Sequence, residues 1–140
     1  MTIRSKVPLA FLAAVLGISL LFSGTALGVN RNGAWKGSTS QDRTFRFEVE
    51  GDTITAVNTS VLHEACNLTV TARSSRTEFP IRDDGTFTMR FFGGEGRDRV
   101  VIRGEFTTRR RAKGVVRSFQ DSTDCRETLT PTWTARRRSG

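Results

Sequence analysis

Hydrophobic and polar residues alternate along much of the chain after residue 28. The alternation is clearest where Phe45, Phe47 and Val49 are separated by charged residues. It returns over residues 87–91 and again over residues 129–135. A period of two residues is typical of a β-strand that has one buried face and one face in water. The chain after residue 28 is therefore predicted to consist mainly of strands.

Turn signals separate these segments at short intervals, for example Gly51-Asp52 and Asp83-Asp84-Gly85. Short strands with turns at about every 8 to 12 residues are typical of all-β sandwiches and barrels. No window shows a convincing helical stripe. We predict an all-β fold, a small antiparallel up-and-down β-barrel or sandwich of about 8 strands. Closing a barrel would pair the Trp35 strand with the Trp133 strand, which removes exposed edges.

Two segments fit the alternation less well. Residues 58–66 have no strong period, so we expect a connection that carries His63 and Cys66. Pro80 lies within the short apolar stretch 78–82. Proline cannot donate a backbone hydrogen bond, so this stretch is predicted to be an edge strand or a bend.

The first 28 residues differ from the rest. Arg4 and Lys6 precede an apolar run over residues 7–22, and small residues follow it up to Gly28. This order is typical of a secretory signal peptide. We predict a signal-peptide helix in residues 1–28, cleaved after Gly28 or alternatively at Ala26, and one secreted β domain over 29–140. The competing hypothesis is an uncleaved membrane anchor, for which the apolar run is short.

The chain has two cysteines, Cys66 and Cys125. An even pair in an exported protein favours a disulfide. It would close a loop of roughly 60 residues and stabilise the fold by about 4 kcal/mol through loop-closure entropy. The alternative is a metal site with His63, but two thiols and one imidazole are fewer than the usual four ligands of structural zinc. We predict the disulfide, no metal and no cofactor.

Positive charge is concentrated in the second half of the chain. The formal net charge is +8, and with Arg4 and Lys6 set apart residues 29–84 carry −1 and residues 85–140 carry +7. Arginine suits phosphates and carboxylates because its planar fork donates two hydrogen bonds. The residues predicted to contact an anion are Arg109, Arg110, Arg111, Lys113, Arg136, Arg137 and Arg138. The alternative is a solubilising, arginine-rich surface without a dedicated partner.

The chain offers little for catalysis. His63 is its one histidine, so a serine-histidine-acid arrangement would have to use it. The glycines over residues 93–96 join two strand segments, whereas a phosphate-binding loop opens a helix. We therefore predict that the protein is not an enzyme, with a hydrolase centred on His63 as the unfavoured alternative.

Two resemblances bear on the fold. Gly33-Ala-Trp35 is similar to the start of lipocalin- and avidin-like barrels, which implies a barrel that holds a small apolar ligand. A longer series of residues is Gly33-x-Trp35-x-Gly37-x-Thr-Ser-Gln41, Phe47-x-Val49, Cys66, Phe79-x-Ile81, Gly85-x-Phe87, Ile102-x-Gly104-x-Phe106, Gly114, Cys125 and Thr132-Trp-Thr-Ala-Arg136. This series looks like small uncharacterised exported β proteins of the actinobacterial type. That resemblance implies export, an all-β domain and one disulfide, and it supplies no catalytic residue.

These observations together predict a secreted or extracytoplasmic, non-enzymatic β domain. Its expected partner is an anionic envelope component or polymer at the cell surface, attracted by the arginine-rich half. No nucleic-acid role is expected of an exported chain, and no membrane span is expected after signal cleavage. The alternative function is a barrel that binds a small apolar ligand. The oligomeric state stays open.

Overall fold

Ten β-strands make up most of the chain that the structure describes. The structure is a computed structural model, which describes residues 29–93 and 98–139. The predicted signal peptide and most of the glycine-rich loop lie outside these ranges. The strands are β1 (Gly33–Thr39), β2 (Thr44–Glu50), β3 (Thr53–His63), β4 (Leu68–Ser74), β5 (Phe79–Pro80), β6 (Thr86–Phe92), β7 (Asp98–Phe106), β8 (Arg111–Asp121), β9 (Arg126–Leu129) and β10 (Thr132–Arg137).

The strands form one antiparallel sheet in the order β4-β3-β2-β1-β10-β8-β7-β6. The predicted all-β, antiparallel fold is confirmed. The first and last strands lie side by side in the middle of this order, with Thr39 opposite Trp133 and Trp35 opposite Arg137. The predicted pairing of the two tryptophan strands is therefore present.

The sheet curves into a barrel that is nearly closed between β3 and β6. The short strand β5 lies in this gap. Phe79 pairs with Ile54 of β3, and Ile81 forms a single bridge to Phe87 of β6. Pro80 ends β5 after two residues, which agrees with the edge position predicted for it.

The prediction of a connection over residues 58–66 is wrong for most of that segment. Strand β3 continues without a break to His63, and a single 3₁₀ turn follows at Glu64–Cys66. The pairing register of β2 with β3 shifts between Glu48 and Val49, which moves the alternation by one residue. Polar Thr59 then takes an inward position beside Val57. The sequence pattern looked irregular because inward positions in this part of β3 are polar.

Aromatic rings fill the barrel interior near the β1–β10 pair. The Phe45 ring stacks on Trp133 with centroids 4.2 Å apart, and the Trp35 ring meets the edge of Phe106 at 4.9 Å. Phe47 contacts both tryptophans. These inward aromatic residues pack against one another as part of the buried core.

Two glycines face each other across β7 and β8 next to this cluster. Gly104 pairs with Gly114, which in turn pairs with Trp133. A Cβ atom on Gly104 would lie 2.4 Å from the Phe87 ring and 2.5 Å from the Trp133 ring. Because Gly104 has no side chain, the Phe87 and Trp133 rings can occupy the space beside it.

The predicted disulfide is confirmed. Cys66 and Cys125 are bonded, with Cα atoms 5.4 Å apart and a sequence separation of 59. The bond joins the turn after β3 to the segment before β9. No helix in the described ranges is both long and apolar enough to cross a membrane.

Candidate anion-binding surface

Four cationic side chains lie in one row across four neighbouring strands. Lys36 of β1 is opposite Arg46 of β2 on one side and opposite Arg136 of β10 on the other. Arg136 is in turn opposite Arg111 of β8. All four are exposed, because the residues next to them in each strand, such as Trp35 and Ala135, point into the core. We call Arg46, Lys36, Arg136 and Arg111 the cationic row.

The geometry of the cationic row follows from the sheet. Neighbouring strands are about 4.8 Å apart, so the row extends over roughly 14 Å. Beyond Arg46, the same line continues through Asn58 of β3 to Arg73 of β4. Like charges directly opposite each other raise the free energy of the folded sheet. An anion lying along the row would lower this free energy.

A groove of 410 Å³ runs beside the row on the outer surface of β1, β10 and β8. Lys113 contributes a further cation to it, although its Nζ atom lies 3.6 Å from a carboxylate oxygen of Glu105. Hydroxyl groups of Ser38 and Thr134 line the same groove and can donate hydrogen bonds to anionic oxygens. The groove thus combines cations with neutral donors.

The structure brings together the two basic segments that the sequence analysis selected. Arg109 and Arg110 lie at the tip between β7 and β8, where the backbone N–H of Arg137 donates to the Arg110 carbonyl at 3.0 Å. Arg111 and Arg136 belong to the cationic row. Arg137 donates from Nη1 to the Asn30 carbonyl at 3.0 Å. Arg138 continues beside β1, with its N–H donating to Ala34 at 2.8 Å, and Lys113 lies in the groove.

The tip also carries a wide depression of 870 Å³ lined by Arg109, Arg110 and Arg137. It lies at the end of the barrel, whereas the cationic row lies on its side. The predicted residues therefore form one continuous basic region that turns from the barrel end onto the outer face.

Sequence reasoning missed Lys36, Arg46 and Arg73, because they lie in the half of the chain with a net charge of −1. A signal for the first two was present. Alternation places Lys36 and Arg46 outward, and the expected neighbourhood of the Trp35 and Trp133 strands brings Lys36 towards Arg136. The prediction did not include them because it chose residues from segments with a high local density of positive charge.

His63 lies in a buried polar network. Its Nε2 atom is 2.8 Å from Ser118 Oγ, and its Nδ1 atom is 3.0 Å from Glu127 Oε2. This is the order of groups in a serine-histidine-acid triad. However, His63 and Ser118 are both 0% exposed, so solvent does not contact the hydroxyl in this conformation. The acid is Glu127, far away in sequence, and not the adjacent Glu64, which is exposed.

The buried network around His63 also contains a cluster of potential metal ligands, which bears on the alternative of a metal site. Potential ligand atoms of His63, Cys125 and Glu127 lie within 4.8 Å of one another, and they are the one such trio in residues 29–93 and 98–139. Metal binding by cysteine needs the thiolate. The Cys125 sulfur is bonded to Cys66, so it supplies none in this state.

Comparison of the chain with models of protein families, with curated proteins and with solved structures finds no match.

Proposed function

We propose that the protein is an exported, non-enzymatic β-barrel domain that binds an anionic envelope polymer through the cationic row. The observation that carries the proposal is the register of four adjacent strands, which sets Arg46, Lys36, Arg136 and Arg111 side by side. A sheet that aligns like charges on its surface gives up stability, and a linear polyanion restores it by neutralising the row.

The chemistry of the row favours phosphate or carboxylate groups. Three of its members are arginines, whose guanidinium groups can grip one anionic group with two parallel hydrogen bonds. The row is exposed and crosses four neighbouring strands, so an extended polymer that follows the outer surface of the barrel can contact all members together. Each contact between exposed charges is weak and screened by salt, and the sum over several contacts produces useful affinity.

Three further features support export and the absence of catalysis. A structural disulfide between Cys66 and Cys125 is typical of oxidising compartments outside the cytoplasm, and the N-terminal sequence has the pattern of a signal peptide. His63 and Ser118 are enclosed in the barrel, so their hydrogen bond serves the stability of the core.

The experiment measures binding of the mature protein to polyphosphate and to poly-L-glutamate at several salt concentrations. A triple variant with Lys36, Arg111 and Arg136 each replaced by Gln is expected to bind at least about tenfold more weakly, since three charge-assisted contacts are lost. The matched control replaces Arg76, Arg82 and Arg126 by Gln, which removes the same charge away from the row. The control is expected to stay within about twofold of wild type.

The proposal predicts a steep loss of wild-type binding as salt rises, and a smaller loss for the row variant. Equal weakening by the row variant and its control would show that overall charge, and not the row, determines binding. Binding that does not change with salt would exclude electrostatic attraction as its basis.

A further inference from the structure

A second cationic site lies on the outer face of β6, β7 and β8, away from the cationic row. It is a cleft of 320 Å³ bordered by four arginines, Arg90, Arg99, Arg103 and Arg117. None of the described residues that line it is acidic. This cleft is small enough to enclose a compact ligand, unlike the open row.

The floor of the cleft is apolar. Val101, Val115 and Phe119 point outward from the sheet and are half-buried, although hydrophobic side chains of a barrel usually point inward. The register places Val101 directly between Arg90 and Arg117, and Val115 directly beside Arg103. Cationic and apolar side chains therefore alternate in the cleft both along the strands and from one strand to the next.

Arg99 is held in place before any ligand arrives. Its Nη1 atom donates to Oε1 of the buried Gln120 at 3.4 Å. Its side chain passes over Gly93, where a Cβ atom would lie 2.1 Å from the Arg99 Nε atom. Holding a long side chain in position reduces the entropy that is lost when it binds a ligand.

We propose that this cleft binds a small organic phosphate, with the phosphate between Arg99, Arg103 and Arg117 and the apolar part on Val101, Val115 and Phe119. The arginines supply bidentate donors for the phosphate oxygens. A guanidinium group is weakly hydrated and packs well beside apolar groups, so it suits a ligand with both characters. Burying the apolar part removes the half-exposed floor from water. This inference does not depend on the polymer proposed for the cationic row.

The test measures binding of the mature protein to phenyl phosphate by calorimetry, with inorganic phosphate and phenol as partial ligands. We expect phenyl phosphate to bind at least about tenfold more tightly than either partial ligand, because both halves of the cleft contribute. Dihexanoyl phosphatidic acid, kept below its micelle concentration, carries the same phosphate on a lipid. Tighter binding of this lipid than of phenyl phosphate would assign the ligand to lipids, and the reverse order would assign it to soluble aromatic phosphates.

Variants separate the two halves of the site. R103Q with R117Q is expected to weaken binding of phenyl phosphate at least about tenfold through lost charge-assisted hydrogen bonds. F119S is expected to weaken phenyl phosphate while leaving inorganic phosphate within about twofold. The matched control is R76Q with R126Q, which removes the same charge away from both sites and should leave phenyl phosphate binding unchanged. Thermal unfolding of each variant checks that it is folded.

Equal affinity for phenyl phosphate and inorganic phosphate would overturn the proposal, since the apolar floor would then contribute nothing. Equal weakening by the cleft pair and the control pair R76Q with R126Q would also overturn it, because binding would follow net charge. Loss of polymer binding in the row triple variant with phenyl phosphate binding intact would confirm that the two sites are separate.

Discussion

Lys36 lies directly opposite Arg136 in the ladder between the first and last strands of the barrel. Two cations directly opposite each other on neighbouring strands are unfavourable for the free protein. Lys36 also has Arg46 opposite it on its other side, so a cation faces it from each neighbouring strand. The arrangement lowers the stability of the free protein while it favours the binding of an anion. Both the free energy of unfolding and the affinity for an anion can be measured.

Reversing the charge of Lys36 should stabilise the protein. Lys36→Glu creates favourable pairs with Arg46 and Arg136, and we expect the free energy of unfolding to rise by about 0.5 to 1 kcal/mol. The matched control is Lys113→Glu, which makes the same change of charge but opposes Glu105 and removes a salt bridge. The control should lower stability slightly. Urea unfolding measures the change in the free energy of unfolding for both variants. Changes of the same sign would contradict the electrostatic interpretation of the row.

Removing the His63 side chain should destabilise the core more than removing the Ser118 hydroxyl. His63→Ala leaves a cavity and deprives Ser118 and Glu127 of their partner, so we expect a loss of about 3 to 5 kcal/mol. Ser118→Ala removes one hydrogen bond and should cost about 1 to 2 kcal/mol. Chemical denaturation measures both.

The same network gives a test for catalysis. Because Ser118 is enclosed, a fluorophosphonate probe should leave the folded protein unlabelled. Labelling of Ser118 in wild type, abolished in His63→Ala, would instead establish an activated serine and would revive the hydrolase hypothesis.

The disulfide should account for much of the stability. Replacing Cys66 and Cys125 by Ser opens a loop of 59 positions, and we expect a loss of about 4 kcal/mol by loop-closure entropy. Equilibrium unfolding of wild type and of the double variant measures this difference. As a separate check, thiol titration of the denatured but unreduced protein should find no free thiol. A reactive thiol there would contradict the bond.

Gly104 should not tolerate a methyl group. Gly104→Ala places a Cβ atom against the Phe87 and Trp133 rings, and we expect a loss of about 1 to 3 kcal/mol through overpacking. Gly51→Asn is the control, because nothing lies within 4 Å of a Cβ atom there. Asparagine tolerates the left-handed backbone of that turn, so the control should be nearly neutral. Equal losses in thermal unfolding would indicate that the rings move aside.

The turn between β5 and β6 should contribute a small acid-dependent stability. The Thr86 hydroxyl and backbone N–H both donate to the Asp84 carboxylate, which lowers the pKa of that carboxyl below its usual 3.8. A lowered folded-state pKa means that the contribution is present above pH 3.8 and is lost as the pH falls through the lower folded value. Stability measured from about pH 5 to pH 2 should therefore fall more in wild type than in Asp84→Asn. Parallel curves would contradict this role.

Much of the fold follows from local pattern. Period-two alternation is a property of consecutive residues, so the strand content, the inward direction of Phe45 and Phe47 and the outward direction of Lys36 were all readable from the chain. The cysteine pair was also readable, since two cysteines permit a single intramolecular bond. Strand β3 was misread because Thr59 and His63, both polar, occupy inward positions there.

The lateral arrangement was not readable in the same way. A register shift of one residue turns a strand over and is therefore opposed by the hydrophobic pattern. A shift of two residues keeps every side chain on its face, so alternation cannot detect it. Such a shift would set Lys36 opposite Thr134 or Arg138, so a different set of side chains would lie beside Lys36. The hydrogen-bonded ladder between β1 and β10 selects Arg136.

The chain thus specifies strands, their two faces, the disulfide and the overall excess of arginine, because each depends on near neighbours or on composition. The pairing of strands far apart in sequence is what creates both candidate sites and the His63 network, whose partners are 55 and 64 positions away. Those contacts arise from register and curvature, which belong to the closed sheet as a whole.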